Sequence, residues 1–258
     1  MRSIFCRHCS SANVLGCNPD AMYHPVGVQK IMRWEGNMPL IIGITGSIAT
    51  GKSSACEMMT ALGATHCDAD RVVHRLYDPG WPAFGRILAA FGDDVVGEDG
   101  CIDRQKLGSK VFGNPEQMRR LTTAIGDIAA AVKGVVDEWN ATLGPNDIAL
   151  LEAVNLIEAG YGQWCHQVWL FACDDELASS RLMRRDQMSE EDAARRLASQ
   201  RRWQDREPAA DLVLFNDGGM DEFREKVESA FTGARDLWLS GKLPPSRYRQ
   251  WWEARNEG

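Results

Sequence analysis

Residues 40–54 constrain this chain more than any other stretch: Leu40-Ile41-Ile42-Gly43-Ile44-Thr45-Gly46-Ser47-Ile48-Ala49-Thr50-Gly51-Lys52-Ser53-Ser54. The opening apolar, β-branched run is how a strand buried on both faces reads. Gly46-x4-Gly51-Lys52-Ser53 then completes the phosphate-loop pattern, and residues 54–62 carry Ala55, Met58, Met59 and Leu62 at helical spacing. Strand, glycine turn and helix in that order turn a string match into a site. The glycines let successive backbone N–H groups point at phosphate oxygens, and the helix start adds its positive dipole end. Lys52 brings a mobile charge to the β- and γ-phosphates, and the Ser53 hydroxyl suits a ligand of the accompanying Mg2+. Ala49, Thr50, Gly51, Lys52, Ser53 and Ser54 are therefore the expected ATP contacts. The bland alternative is a glycine turn that binds nothing.

Further strands are expected at 64–67, 148–151, 167–172 and 212–215, with helices between them. That alternation predicts an α/β fold, a doubly wound five-stranded parallel sheet. Asp68 and Asp70 fall where the second strand ends, the edge of such sheets that binds ligands. Asp70 also suits the N-cap of a helix over 71–77. Residues 78–143 read as mostly helical, with Met118, Leu121, Ile125, Ile128, Val132, Val136 and Trp139 stepping along one helix face, and this region is expected to cover an acceptor substrate.

Residues 174–208 crowd arginines, among them Arg181, Arg184, Arg185, Arg195, Arg196, Arg201, Arg202 and Arg206, into a chain whose net charge is −7. Arginines beside a phosphate loop suit charge stabilisation during phosphoryl transfer. Arg185 is expected to be functional in this way, while Arg195 and Arg196 are expected to pair with nearby acids. The last long helix is expected over 220–239. The tail, 240–258, carries Tyr248, Trp251 and Trp252, which dock on the domain or bind a partner.

The acidic balance argues against non-specific nucleic-acid binding. No apolar run reaches the roughly 20 residues that span a bilayer. A small-molecule acceptor fits better than nucleic acid or membrane. Eight cysteines are scattered along the chain, a usage that reads as cytoplasmic and reduced, without a disulfide framework. Residues 1–37 stand apart from the phosphate-loop body at 38–239. Their Cys6, Cys9, Cys17 and His24 are soft ligands in a spacing that matches no strong finger pattern. A disordered leader, or a translated stretch before a later start at Met38, is the expected reading.

From Pro39 to about Leu239 the chain resembles the dephospho-coenzyme A kinases. The pieces that carry this are 44–53 in the phosphate loop, Asp68-Ala69-Asp70, Arg181-Leu182-x-x-Arg185-Asp186, Gln200, and 210–218 with Asn216. The resemblance implies transfer of the ATP γ-phosphoryl to the ribose 3′-hydroxyl of dephospho-coenzyme A. It implies Asp70 as the base, Lys52 and Arg185 on the transferring phosphate, and Asn216 near adenine. It also places Thr45, Asp70 and Glu158 on the acceptor side. Two departures stand out. The family's usual His-Pro falls at Gly126-Asp127, and its Pro-Leu-Leu-Phe-Glu is Val154-Asn155-Leu156-Ile157-Glu158 here. A kinase of the same fold with another nucleoside or nucleotide acceptor, or a degenerate protein that only binds ATP, are the competing expectations.

Overall fold

A computed structural model describes residues 37–256, so Cys6, Cys9, Cys17 and His24 lie outside the described residues. Five strands form one sheet in the order β2-β3-β1-β4-β5: β1 (Leu40–Gly46), β2 (Thr65–Asp68), β3 (Ile148–Glu152), β4 (Gln167–Ala172) and β5 (Leu212–Phe215). Every pairing is parallel. β1 lies at the centre with all seven residues buried, as its unbroken apolar run requires.

Each sheet face packs its own core. On one side Ile42, Ile44, Trp169 and Phe171 meet α1 (Lys52–Ala61) and α10 (Met220–Leu239) through Met59, Phe223, Val227 and Phe231. On the other, Ile41, Leu151 and Val168 meet α6 (Ile128–Thr142) through Val132, Val136 and Trp139. A third core, built on Ile87, Val95, Leu107 and Ile125, holds together the helical region after β2. That region comprises α2 (Ala69–Arg75), α3 (Pro82–Phe91), α4 (Arg104–Val111) and α5 (Pro115–Ile125).

The structure corrects two local expectations. The cap of α2 is Asp68, whose Oδ1 accepts from the backbone N–H groups of Asp70 (2.9 Å) and Arg71 (3.4 Å). Helix α2 starts earlier than expected, and Asp70 lies inside its first turn with no capping duty. The apolar face running from Met118 to Trp139 is also split between two helices. Gly126 takes φ 101° between α5 and α6, a conformation that ends the first helix, and Asp127 caps the second by accepting from Ala130 N–H at 2.8 Å. Arg86 donates to the last carbonyls of α5, Ala124 at 2.7 Å and Ile125 at 3.0 Å.

The tail docks. Helix α11 (Arg247–Asn256) is anchored by Tyr248, which is fully buried and donates its hydroxyl to the Ile157 carbonyl at 2.9 Å. Asp211 accepts from Arg247 N–H and Ser246 Oγ and from Val168 N–H, tying the tail to β4.

His166, just before β4, accepts at Nδ1 from Ile41 N–H (2.9 Å) and stands edge-on to Trp238. Burial, then the nearby charge of Arg249, drives its pKa down from 6.5 to about 3. The folded chain thus keeps this ring neutral where the unfolded chain protonates it. Its stabilisation is complete above about pH 6.5 and is lost, at about 1.4 kcal/mol per pH unit, as pH falls toward 3. Urea titrations across pH 7 to 4 are expected to show a slope shallower by about one proton in His166→Gln than in the parent.

Candidate active site

The loop after β1 is forced into shape by close packing. A Cβ at Gly46, where φ is 148°, would lie 2.2 Å from the Phe171 carbonyl oxygen. One at Gly51, where φ is 96°, would lie 2.3 Å from Asn216 Nδ2. Both positions therefore need glycine, and Ala49 also takes a positive φ of 63°. No side chain caps α1, so its first N–H groups stay directed into the loop.

Partners from across the fold hold this nest. Asn216 Nδ2 donates to the Thr50 carbonyl at 3.1 Å, and its Oδ1 accepts from Arg181 at 3.3 Å. Ile48 N–H donates to Gln200 Oε1 at 2.8 Å. Lys52 and Thr50 both donate to the Ser47 carbonyl at 2.8 Å. Burial, opposed by Glu152 and helped by Arg206, brings the Lys52 ammonium pKa down to about 8.

A cleft of about 690 Å3 opens over the loop. Among the residues expected at the site, Ala49, Gly51, Lys52, Ser53, Ser54, Asp70, Arg185 and Asn216 line it. The Asp70 carboxyl is raised above its ordinary pKa by burial and then by Asp68, against the pull of Lys52. Arg181 and Arg184 face the same cleft from α7 (Asp175–Asp186). Arg185 donates to Asp186 at 2.7 and 3.0 Å. As expected, Arg195 and Arg196 are paired, with Asp192 and Asp186.

The other expected residues stand elsewhere. Thr50 is buried beneath the loop. Thr45 is fully buried and donates to the Val154 carbonyl at 3.0 Å, holding the loop after β3 in place. Glu158 accepts from the buried Arg206 at 2.8 Å, with Arg201 4.0 Å away. It lines a second, smaller cavity of about 230 Å3 against Trp251 and Trp252 of α11.

Sequence reasoning passed over Glu152. It ends β3 opposite Ile44 of β1, and its Oε1 accepts from Ser53 Oγ at 3.0 Å. Burial pushes its carboxyl up, but hydrogen bonds from His66 and Ser53 and the charge of Lys52 outweigh this and hold the pKa below the ordinary value. The available signal was its place: a carboxylate closing the strand that pairs with the phosphate-loop strand.

The chain matches the family model described as dephospho-CoA kinase over residues 40–222. It is 36% identical over 195 residues to the dephospho-CoA kinase of Symbiobacterium thermophilum, covering 75% of this chain and 81% of the relative. The enzyme of that name from Streptococcus pneumoniae R6 is 33% identical over 198 residues, covering 77% and 98%. Among solved structures, TT1252 from Thermus thermophilus superposes with a TM-score of 0.63 at 26% identity, covering 76% of this chain and 98% of that one. The dephospho-CoA kinase from Campylobacter jejuni gives 0.59 at 26% identity, covering 77% and 98%. The shared stretch takes in the whole sheet, the nest around Lys52 and the carboxylate facing it, and this chain belongs to the dephospho-CoA kinase family.

Proposed function

We propose that the protein transfers the γ-phosphoryl group of ATP to the ribose 3′-hydroxyl of dephospho-coenzyme A. The observation that carries this reading is one cleft lined by both Lys52 and Asp70. A triphosphate held by the loop amides and Lys52 has its terminal group facing Asp70. The carboxylate orients the incoming hydroxyl and takes its proton as the new O–P bond forms. The bond from the γ-phosphorus to the bridging oxygen breaks, and ADP leaves with that electron pair. Lys52, Arg181 and Arg185 offset the charge on the transferring group. Asn216 fixes the base-side end of the site through Thr50.

The kinase reaction also calls for Mg2+. A serine hydroxyl and a carboxylate 3.0 Å apart at the loop are the hard oxygen donors this ion takes. Ser53 and Glu152 would hold it, and it would supply charge neutralisation between the phosphates. Residues 174–208, with α7, α8 (Glu190–Ala198) and α9 (Trp203–Arg206), serve as a lid that excludes water. The helical region after β2 receives the acceptor, while Glu158 and its arginines border the separate cavity against α11. No helix among the described residues is long and apolar enough to cross a membrane. Cys56, Cys101, Cys165 and Cys173 are free thiols, as suits a reducing cytoplasm.

A coupled ADP-release assay with ATP and Mg2+ tests the reading. Turnover is expected with dephospho-coenzyme A and not with nucleoside monophosphates. The reverse preference would replace the acceptor, and ATP binding without product from any acceptor would leave a binding protein.

A further inference from the structure

Below the phosphate loop three side chains from three elements converge. Cys56 comes from α1, His66 from β2 and Glu152 from the end of β3, and one donor atom of each lies within 4.8 Å of the others. His66 Nε2 is 3.0 Å from Glu152 Oε2, and the Cys56 sulfur lies within 4.8 Å of both donor atoms. Cys56 and Glu152 are buried while His66 lies on the exposed edge strand, so the cluster has a solid floor and an open side.

We propose that Cys56, His66 and Glu152 form a binding site for a zinc-class divalent cation, and that its occupancy switches the kinase off by withdrawing Glu152 from Ser53. Thiolate, imidazole and carboxylate make a donor set that prefers zinc-class ions to Mg2+. Tetrahedral zinc places its ligand atoms about 3.5 Å apart, a spacing the cluster reaches with small side-chain adjustments. On binding, the thiol proton leaves to solvent and the His66 ring takes the tautomer protonated at Nδ1, exchanging its Nε2 proton with solvent; the sulfur, Nε2 and a Glu152 oxygen then each donate a lone pair, and water from the open side completes the shell. Nothing is oxidised or reduced.

Coupling follows from the shared carboxylate. Glu152 gives one oxygen to Ser53 and the other to His66. A cation drawn between His66 and Cys56 competes for the charge that the phosphate loop uses. This coupling rests on the kinase reading of Ser53 and Glu152; the cation site itself does not.

The test uses the full chain; Cys6, Cys9 and Cys17 are further thiols, so only a difference between variants isolates this site. Cobalt(II) is titrated into parent and Cys56→Ser without nucleotide, following the near-ultraviolet thiolate-to-cobalt absorption. Part of that band is expected to be lost in the variant; identical spectra overturn the site. In the second arm Zn2+ is added at saturating Mg2+ and ATP. Cys56→Ala is expected to keep basal turnover within about twofold and to need at least about tenfold more zinc for half-inhibition. Equal inhibition of the parent and Cys56→Ala means zinc acts on ATP and overturns the switch. Cobalt uptake at Cys56 with unchanged turnover overturns the coupling alone. A parent inactive on every acceptor before zinc is added refutes the kinase reading instead, and the spectra still decide the cation site.

Discussion

Asp70→Asn is expected to lower turnover with dephospho-coenzyme A by about a hundredfold or more. Asparagine keeps the size and the hydrogen-bonding reach of the side chain and removes the ability to take a proton. Nothing structural depends on the carboxylate, because the cap of α2 is Asp68. The variant is therefore expected to melt with the parent and to bind ATP with an affinity changed by no more than about threefold. The parent's acid limb in kcat/KM is expected above the ordinary aspartate value of 3.8, since burial and Asp68 raise this carboxyl against the pull of Lys52. Stopped-flow or coupled assays across pH check both statements. Near-normal turnover in the asparagine variant would remove Asp70 from the role of base.

Lys52→Ala is expected to cost at least about a hundredfold in turnover and to weaken ATP binding as well. Lys52 is 7% exposed and its ammonium donates to the Ser47 carbonyl, so the charge waits beside the loop rather than in bulk water. Bringing a triphosphate into that slot restores a partner to a charge that burial disfavours. Lys52→Arg is not expected to rescue the activity. A planar fork does not fit a slot shaped for a compact ammonium on a flexible stem. Isothermal titration with ATP, beside single-turnover measurements, separates the loss of binding from the loss of rate. An alanine variant with unchanged turnover would mean the nest alone manages the phosphate charge.

The parts of this fold that depend on local pattern were legible in the sequence. β4, β5 and α10 begin and end where the apolar periodicity and the turn residues place them. The phosphate loop was legible because its spacing and its flanking elements are both local. What escaped depends on which elements become neighbours. Asp68 and Asp70 are two residues apart, and only the turn geometry of α2 decides which one caps. The periodicity from Met118 to Trp139 stays in phase across Gly126, so the break shows only in the backbone. Glu152 acquires its place from the pairing of β3 with β1, and Asn216, itself expected at the site, holds Thr50 from the end of β5, two strands away from β1. Glu158 has arginine partners more than forty positions later in the chain.

The docked tail also binds the chain's history of change. Tyr248 lies so close to Gly162 that a methyl group there would meet its ring at 2.6 Å. The glycine falls inside the family-matched residues and the tyrosine beyond them. A side chain at 162 is therefore compatible with this dock only if Tyr248 shifts or is replaced. A chimaera that borrows the shared body from a cousin bearing any side chain at 162 would have no socket for this tyrosine, and the segment carrying Glu158 would lose its brace.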